Sequence, residues 1–229
     1  MLEFGTDLSI TYVMGGLARE FGDPASMIVP WLDVAERSGM PLDPRLWSEA
    51  PISSSYPVCM GVKAAAEQGD EAAGRHLRAL REGLMCFRRK LDTPEALVAE
   101  ARSAGLDAER FRGSLESNAI VEAFGADLEE TRAVGVELPF LRFGDKVIAA
   151  QAPYPDWRAT ALAAGGSPAE QPLPEPLAAV TRCGRLATAE VASLCDLPLT
   201  RASSELWALA VELRLRPVRV LTGTLWEPA

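Results

Sequence analysis

Apolar residues recur at helical spacing along most of the first 133 residues, and after Gly135 the period changes from 3.6 to two. Val136–Phe143 and Lys146–Ala150 read as two short strands joined across Gly144-Asp145, a hairpin signal. Pro139 lies inside the first of these strands, where proline normally marks an edge. The exception is a proline whose missing N–H faces a site instead of a neighbouring strand.

Upstream, Leu8–Met14 alternates apolar and polar residues and predicts a strand stopped by Gly15-Gly16. Helices are predicted over Ser26–Arg37, from Val58 to a stop at Gly69, and over Glu71–Arg89. In the last of these, Leu77, Leu80, Leu84 and Phe87 share one face. Asp92 is placed to cap a helix running to Ala104, with Pro94 in its first turn. A shorter helix carries Phe111 and Leu115; another, near Asn118–Ala133, is expected to bury Ile120, Val121, Phe124 and Leu128. A helix near Asp156–Ala164 completes the region.

Residues 165–174 read as a linker by their Gly and Pro content. Beyond them, helices near Pro176–Cys183, Thr188–Leu194 and Leu199–Arg214 precede a hairpin turning at Thr222-Gly223, a winged-helix-like order. The predicted domains are 1–164, with a helical insertion at about 26–134, and 175–229.

Composition removes several function classes. The net charge is −9, the reverse of a dominant nucleic-acid footprint. Within 175–229 six arginines balance six acids, and Glu205, Trp207 and Glu212 on the third helix do not resemble a DNA-reading face. No run of 18 apolar residues exists, and Met1–Asp7 lacks the features of a secretory signal, so a cytoplasmic, reducing location is the default. The one histidine, His76, excludes a multi-His metal site and reads as a solvated or partly buried surface residue, with a general base as the alternative. Gly15-Gly16 lacks the spacing of a phosphate loop, and Arg88-Arg89-Lys90 reads as a solvated helix end. The four cysteines at 59, 86, 183 and 195 form no CxxC. Cys59 and Cys86 are expected to be buried thiols too far apart to bridge; Cys183 and Cys195 are expected in the core.

Three segments carry a family likeness: TYVMGGL (Thr11–Leu17), SSYPVCMGVKAA (Ser54–Ala65) and the stretch Arg78–Lys146. Over roughly 5–164 the chain resembles the DsbA-like thioredoxin-fold family, whose members exchange thiols and disulfides or isomerise small molecules with glutathione. The resemblance implies an α/β, thioredoxin-like fold with an inserted helical subdomain, here truncated at its N-terminal end. In it Pro139 would be the cis-proline facing the site, Leu138 the residue before it, and Met14, Gly15 and Gly16 the end of the second strand and its glycines. These five are the candidate substrate-binding residues. The family's catalytic CxxC follows a first strand, where a helix N-terminus lowers the thiol pKa. Here Leu8 already opens the second strand, and "EFG" at 3–5 resembles the tail of the helix bearing the CxxC. A start placed too late or a shortened chain is the preferred explanation; a redox-dead paralogue is the alternative.

No catalytic residue, cofactor or metal ligand is therefore assigned. Two functions stay open. One is a DsbA-family oxidoreductase-like protein, inactive without its CxxC, whose partner is a protein or small thiol or disulfide. The other is a non-enzymatic peptide- or partner-binding regulator using the Pro139 groove and the C-terminal module. Neither membrane nor nucleic acid is an expected partner, and homo-oligomerisation stays open.

Overall fold

The computed structural model describes residues 3–4, 8–168 and 172–229, so parts of the expected helix tail at 3–5 and of the 165–174 linker lie outside the described residues. The helices are α1 (Ile28–Ser38), α2 (Leu46–Glu49), α3 (Tyr56–Ala66), α4 (Asp70–Met85), α5 (Pro94–Ser103), α6 (Ala108–Leu115) and α7 (Asn118–Val134). A hairpin of β1 (Phe140–Phe143) and β2 (Lys146–Ala149) follows, then α8 (Tyr154–Ala163). The remainder is α9 (Pro176–Cys183), β3 (Leu186–Ala187), α10 (Thr188–Leu194), α11 (Leu199–Val211), β4 (Leu215–Val220) and β5 (Gly223–Pro228). Among the described residues, no helix is long and apolar enough to cross a membrane.

Local chemistry explains most boundaries. Gly39 and Gly135 end α1 and α7 at φ of 66°, the left-handed conformation that glycine adopts without strain. Ser117 and Asp107 cap α7 and α6 with side-chain oxygens. α5 is capped by Thr93, whose hydroxyl accepts the Ala96 N–H at 3.3 Å, and not by Asp92. The cap therefore stands one residue later than expected, three before the orphan N–H it satisfies. α4 stops at Met85, before Phe87 and Arg89, and Arg88 takes φ of 55°.

One predicted strand does not form. Leu8–Met14 belongs to no sheet, and among the described residues no strand pairs with it. Alternation makes a segment suitable for pairing, but a strand exists only when a neighbour supplies the ladder. The first hairpin strand is also shorter than predicted, starting at Phe140. Its register, Phe143 opposite Lys146, leaves Gly144-Asp145 as a two-residue loop, with Gly144 at φ of 58°.

The chain divides into two compact units, and they do not follow the order in which the domains were read. The first comprises residues 1–20, 54–78 and 92–170; the second 21–53, 79–91 and 171–229. In the first, α3 packs on α5, α6 and α7 around Val62, Leu97, Phe111, Ile120 and Phe124. His76 belongs to this core, not to the surface. The buried stripe of α4 is Ala72, Ala73, His76 and Leu77, which turns the imidazole inward, with its ring 4.9 Å from that of Phe111.

In the second unit, Val180, Val191, Leu206, Leu215 and Trp226 form the main core, and the sheet order is β3-β5-β4. Trp226 donates its indole N–H to Thr188 Oγ1 at 2.9 Å. The β4–β5 turn is Leu221-Thr222, one residue before the expected position. Arg185 ties Glu82 at 2.7 Å to Glu227 at 2.6 Å while lying over the Phe87 ring. Cys195 is buried, but Cys183 is exposed, because it is the last residue of α9 and Gly184 ends the helix there. None of the four cysteines is joined in a disulfide.

Candidate functional site

α7 ends at Gly135, and the chain then passes through Leu138 and Pro139 before the ladder begins. The Leu138–Pro139 peptide is cis. Pro139 has no N–H to donate, but its carbonyl accepts the Ala150 N–H at 3.1 Å, which continues the hairpin bonding by one residue. Its ring is exposed, whereas Leu138 is half-buried.

Leu138 rests on Gly15. A Cβ at position 15 would lie 2.5 Å from Leu138 Cδ1 and 3.1 Å from Thr131 Cγ2. At Gly16, φ is 60°, and a Cβ would lie 2.9 Å from Tyr56 and 3.0 Å from Leu128. The glycine pair therefore meets two separate demands: close approach at 15, and approach plus a left-handed backbone at 16. Of the five predicted residues, Leu138 and Gly15 touch, Met14 and Gly16 flank the contact, and Pro139 stands exposed beside it.

Three further side chains belong to this cluster, and sequence reading did not assign them to it. Asp127 of α7 is buried and accepts the Met14 N–H at 2.8 Å on one oxygen and Lys63 Nζ at 3.0 Å on the other. Thr131 donates its hydroxyl to the Asp127 carbonyl at 2.8 Å. A signal for Asp127 was present: Ile120, Phe124, Asp127 and Thr131 form one buried stripe of α7, so the carboxylate stands at a core position of its helix. Val121, expected in that core, is 56% exposed.

Cys59 lies one helical turn before Lys63 on α3. Burial pushes its thiol up to about 11, against a lowering hydrogen bond from the Gly16 backbone, while the charge on Asp127 raises it further. A thiol so held is protonated at neutral pH, the opposite of what nucleophilic attack on a disulfide requires. Among the described residues, no group of three His, Cys, Asp or Glu is placed to hold a metal. The surface here presents an exposed proline and a half-buried leucine, near Val13 and Leu17, which are 40% and 75% exposed. A separate open depression of about 700 Å³ at the hairpin is lined by Val134, Arg142, Gly144, Asp145 and Val147 and contains none of the predicted residues.

Residues 1–147 match the family described as thioredoxin. A protein of Halalkalibacterium halodurans named ClpXP adapter protein SpxH is 31% identical over 206 residues, 86% of this chain and 67% of that protein. The Bacillus subtilis protein of the same name is 29% identical over 211 residues, covering 86% of this chain and 70% of the other. Among solved structures, a candidate protein disulfide isomerase from Nitrosomonas europaea matches with a TM-score of 0.58 and 18% identity, over 66% of this chain and 80% of that one. This last likeness is one of fold alone.

Proposed function

This chain belongs to the thioredoxin family, in its DsbA-like form, and from that premise we propose that it is a partner-binding adaptor that delivers proteins to ClpXP, with the surface around Leu138 and Pro139 as its contact. The observation that carries this reading is the state of Cys59. The Cys59 thiol beside the Gly15–Gly16 turn is buried and held protonated, so it adds no thiolate to the apolar surface around Leu138 and Pro139. Two relatives named as ClpXP adapters support the same direction. Recognition by such a surface rests on an apolar side chain and exposed backbone, which suit an extended peptide. The finer points belong to this proposal too: a cytoplasmic location, supported by four cysteines not joined in disulfides, and a winged-helix-like packing role for 175–229.

The test is degradation by purified Bacillus subtilis ClpXP in a cell extract, followed by quantitative proteomics with and without this chain. At least one protein is expected to disappear fivefold faster when the chain is present, and the Leu138→Asp variant is expected to abolish the effect. No accelerated degradation would overturn the adaptor reading. So would steady insulin reduction by the chain that is lost in Cys59→Ala, since it would make Cys59 a working nucleophile.

A further inference from the structure

A carboxylate at a buried helix position is costly unless both oxygens are satisfied. Asp127 meets that condition with partners far away in the chain: the Met14 N–H, 113 residues distant, and the Lys63 ammonium, 64 residues distant. One oxygen serves each. Met14 is the residue immediately before the glycine pair, and Gly15 is the surface on which Leu138 rests. Thr131, one turn further along α7, donates to the Asp127 carbonyl and packs its methyl against position 15. A single side chain thus joins α3, α7 and the Met14–Gly16 backbone beside the half-buried Leu138 and the exposed Pro139.

We propose that Asp127 is a positioning residue of the partner-binding surface: its carboxylate clamps the Met14–Gly16 backbone so that Gly15 supports Leu138. This rests on the adaptor reading above. The chemistry specifies a carboxylate. An asparagine has one acceptor oxygen, and its NH2 group would point a donor at either the Lys63 ammonium or the Met14 N–H. The charged Lys63 ammonium makes the stronger hydrogen bond and takes that one oxygen, so in Asn it is the Met14 N–H that loses its acceptor. Glu keeps both acceptor oxygens and the charge, at the cost of one added methylene.

The test uses the full chain, first without any partner. Amide hydrogen exchange is measured in wild type, Asp127→Asn and Asp127→Glu. In Asp127→Asn the Met14 amide is expected to exchange at least tenfold faster, while amides of α5 and α6 stay within twofold; Asp127→Glu restores most of the protection. A general loss of packing would raise exchange throughout and would not be rescued by Glu. Exchange at Met14 within twofold of wild type would overturn the proposal. In the ClpXP extract assay, Asp127→Asn is expected to lose activity as Leu138→Asp does; faster Met14 exchange with undiminished degradation would also overturn it. If Leu138→Asp itself leaves degradation unchanged, the adaptor reading fails and the proposed positioning role fails with it, whereas the exchange measurement still decides whether the clamp exists.

Discussion

His76 has neither ring nitrogen hydrogen-bonded and no exposed surface. Burial alone pushes its pKa down to about 4 from an ordinary 6.5. The folded chain keeps the ring neutral, whereas the unfolded chain takes up a proton below about 6.5. Stability from this group is therefore complete above pH 6.5 and is lost as pH falls toward 4, by roughly 3 kcal/mol in all. Urea unfolding at pH 7.5 and pH 5 should show about 2 kcal/mol of this loss in wild type and a smaller one in His76→Leu; equal loss in both would contradict it. Gly16→Ala is expected to destabilise by about 2 kcal/mol or more, because it adds a left-handed alanine and a clash with Tyr56. Chemical denaturation measures that directly. Gly15→Ala meets mainly the flexible end of Leu138, so its effect should appear in partner binding more than in stability. At this scale the sequence was a partial guide. Met14, Gly15, Gly16, Leu138 and Pro139 were legible because glycines and prolines signal their backbone demands locally. Asp127, Lys63 and Cys59 were not assigned to the site, because their roles depend on contacts between distant segments.

Helices were the legible elements. α3, α7, α9 and α10 fall close to where periodicity and flanking glycines place them, since their hydrogen bonds close within four residues. The Leu8–Met14 strand was not legible as absent, since pairing is decided by a neighbour and not by the segment itself. The Thr93 cap shows how finely local chemistry sets a boundary: two adjacent capping residues compete, and the one three positions before an orphan N–H takes it. Thr93→Ala should cost about 1 kcal/mol, read as a lower urea midpoint with an unchanged slope. A cost below 0.3 kcal/mol would mean that the cap contributes little to stability.

For the whole molecule, the compact units cut across the predicted domains. Met40, Cys86 and Phe87 pack on Ala187, Val220 and Leu225, so the segment after the linker shares its second core with residues far upstream. Linker composition is local and could not reveal this. A fragment ending at residue 170 is accordingly expected to lose order in 21–53 and 79–91, so that limited proteolysis cuts there at least tenfold faster than in the full chain; equal resistance would show that those segments fold without it. The central claim is that the chain acts by presenting a fixed Leu138–Pro139 surface to a protein and not by thiol chemistry. The most direct measurement is ClpXP degradation in extract with wild type, Leu138→Asp and Cys59→Ala side by side. The account predicts stimulation by wild type and Cys59→Ala and none by Leu138→Asp; stimulation that survives Leu138→Asp or vanishes in a folded Cys59→Ala would contradict it.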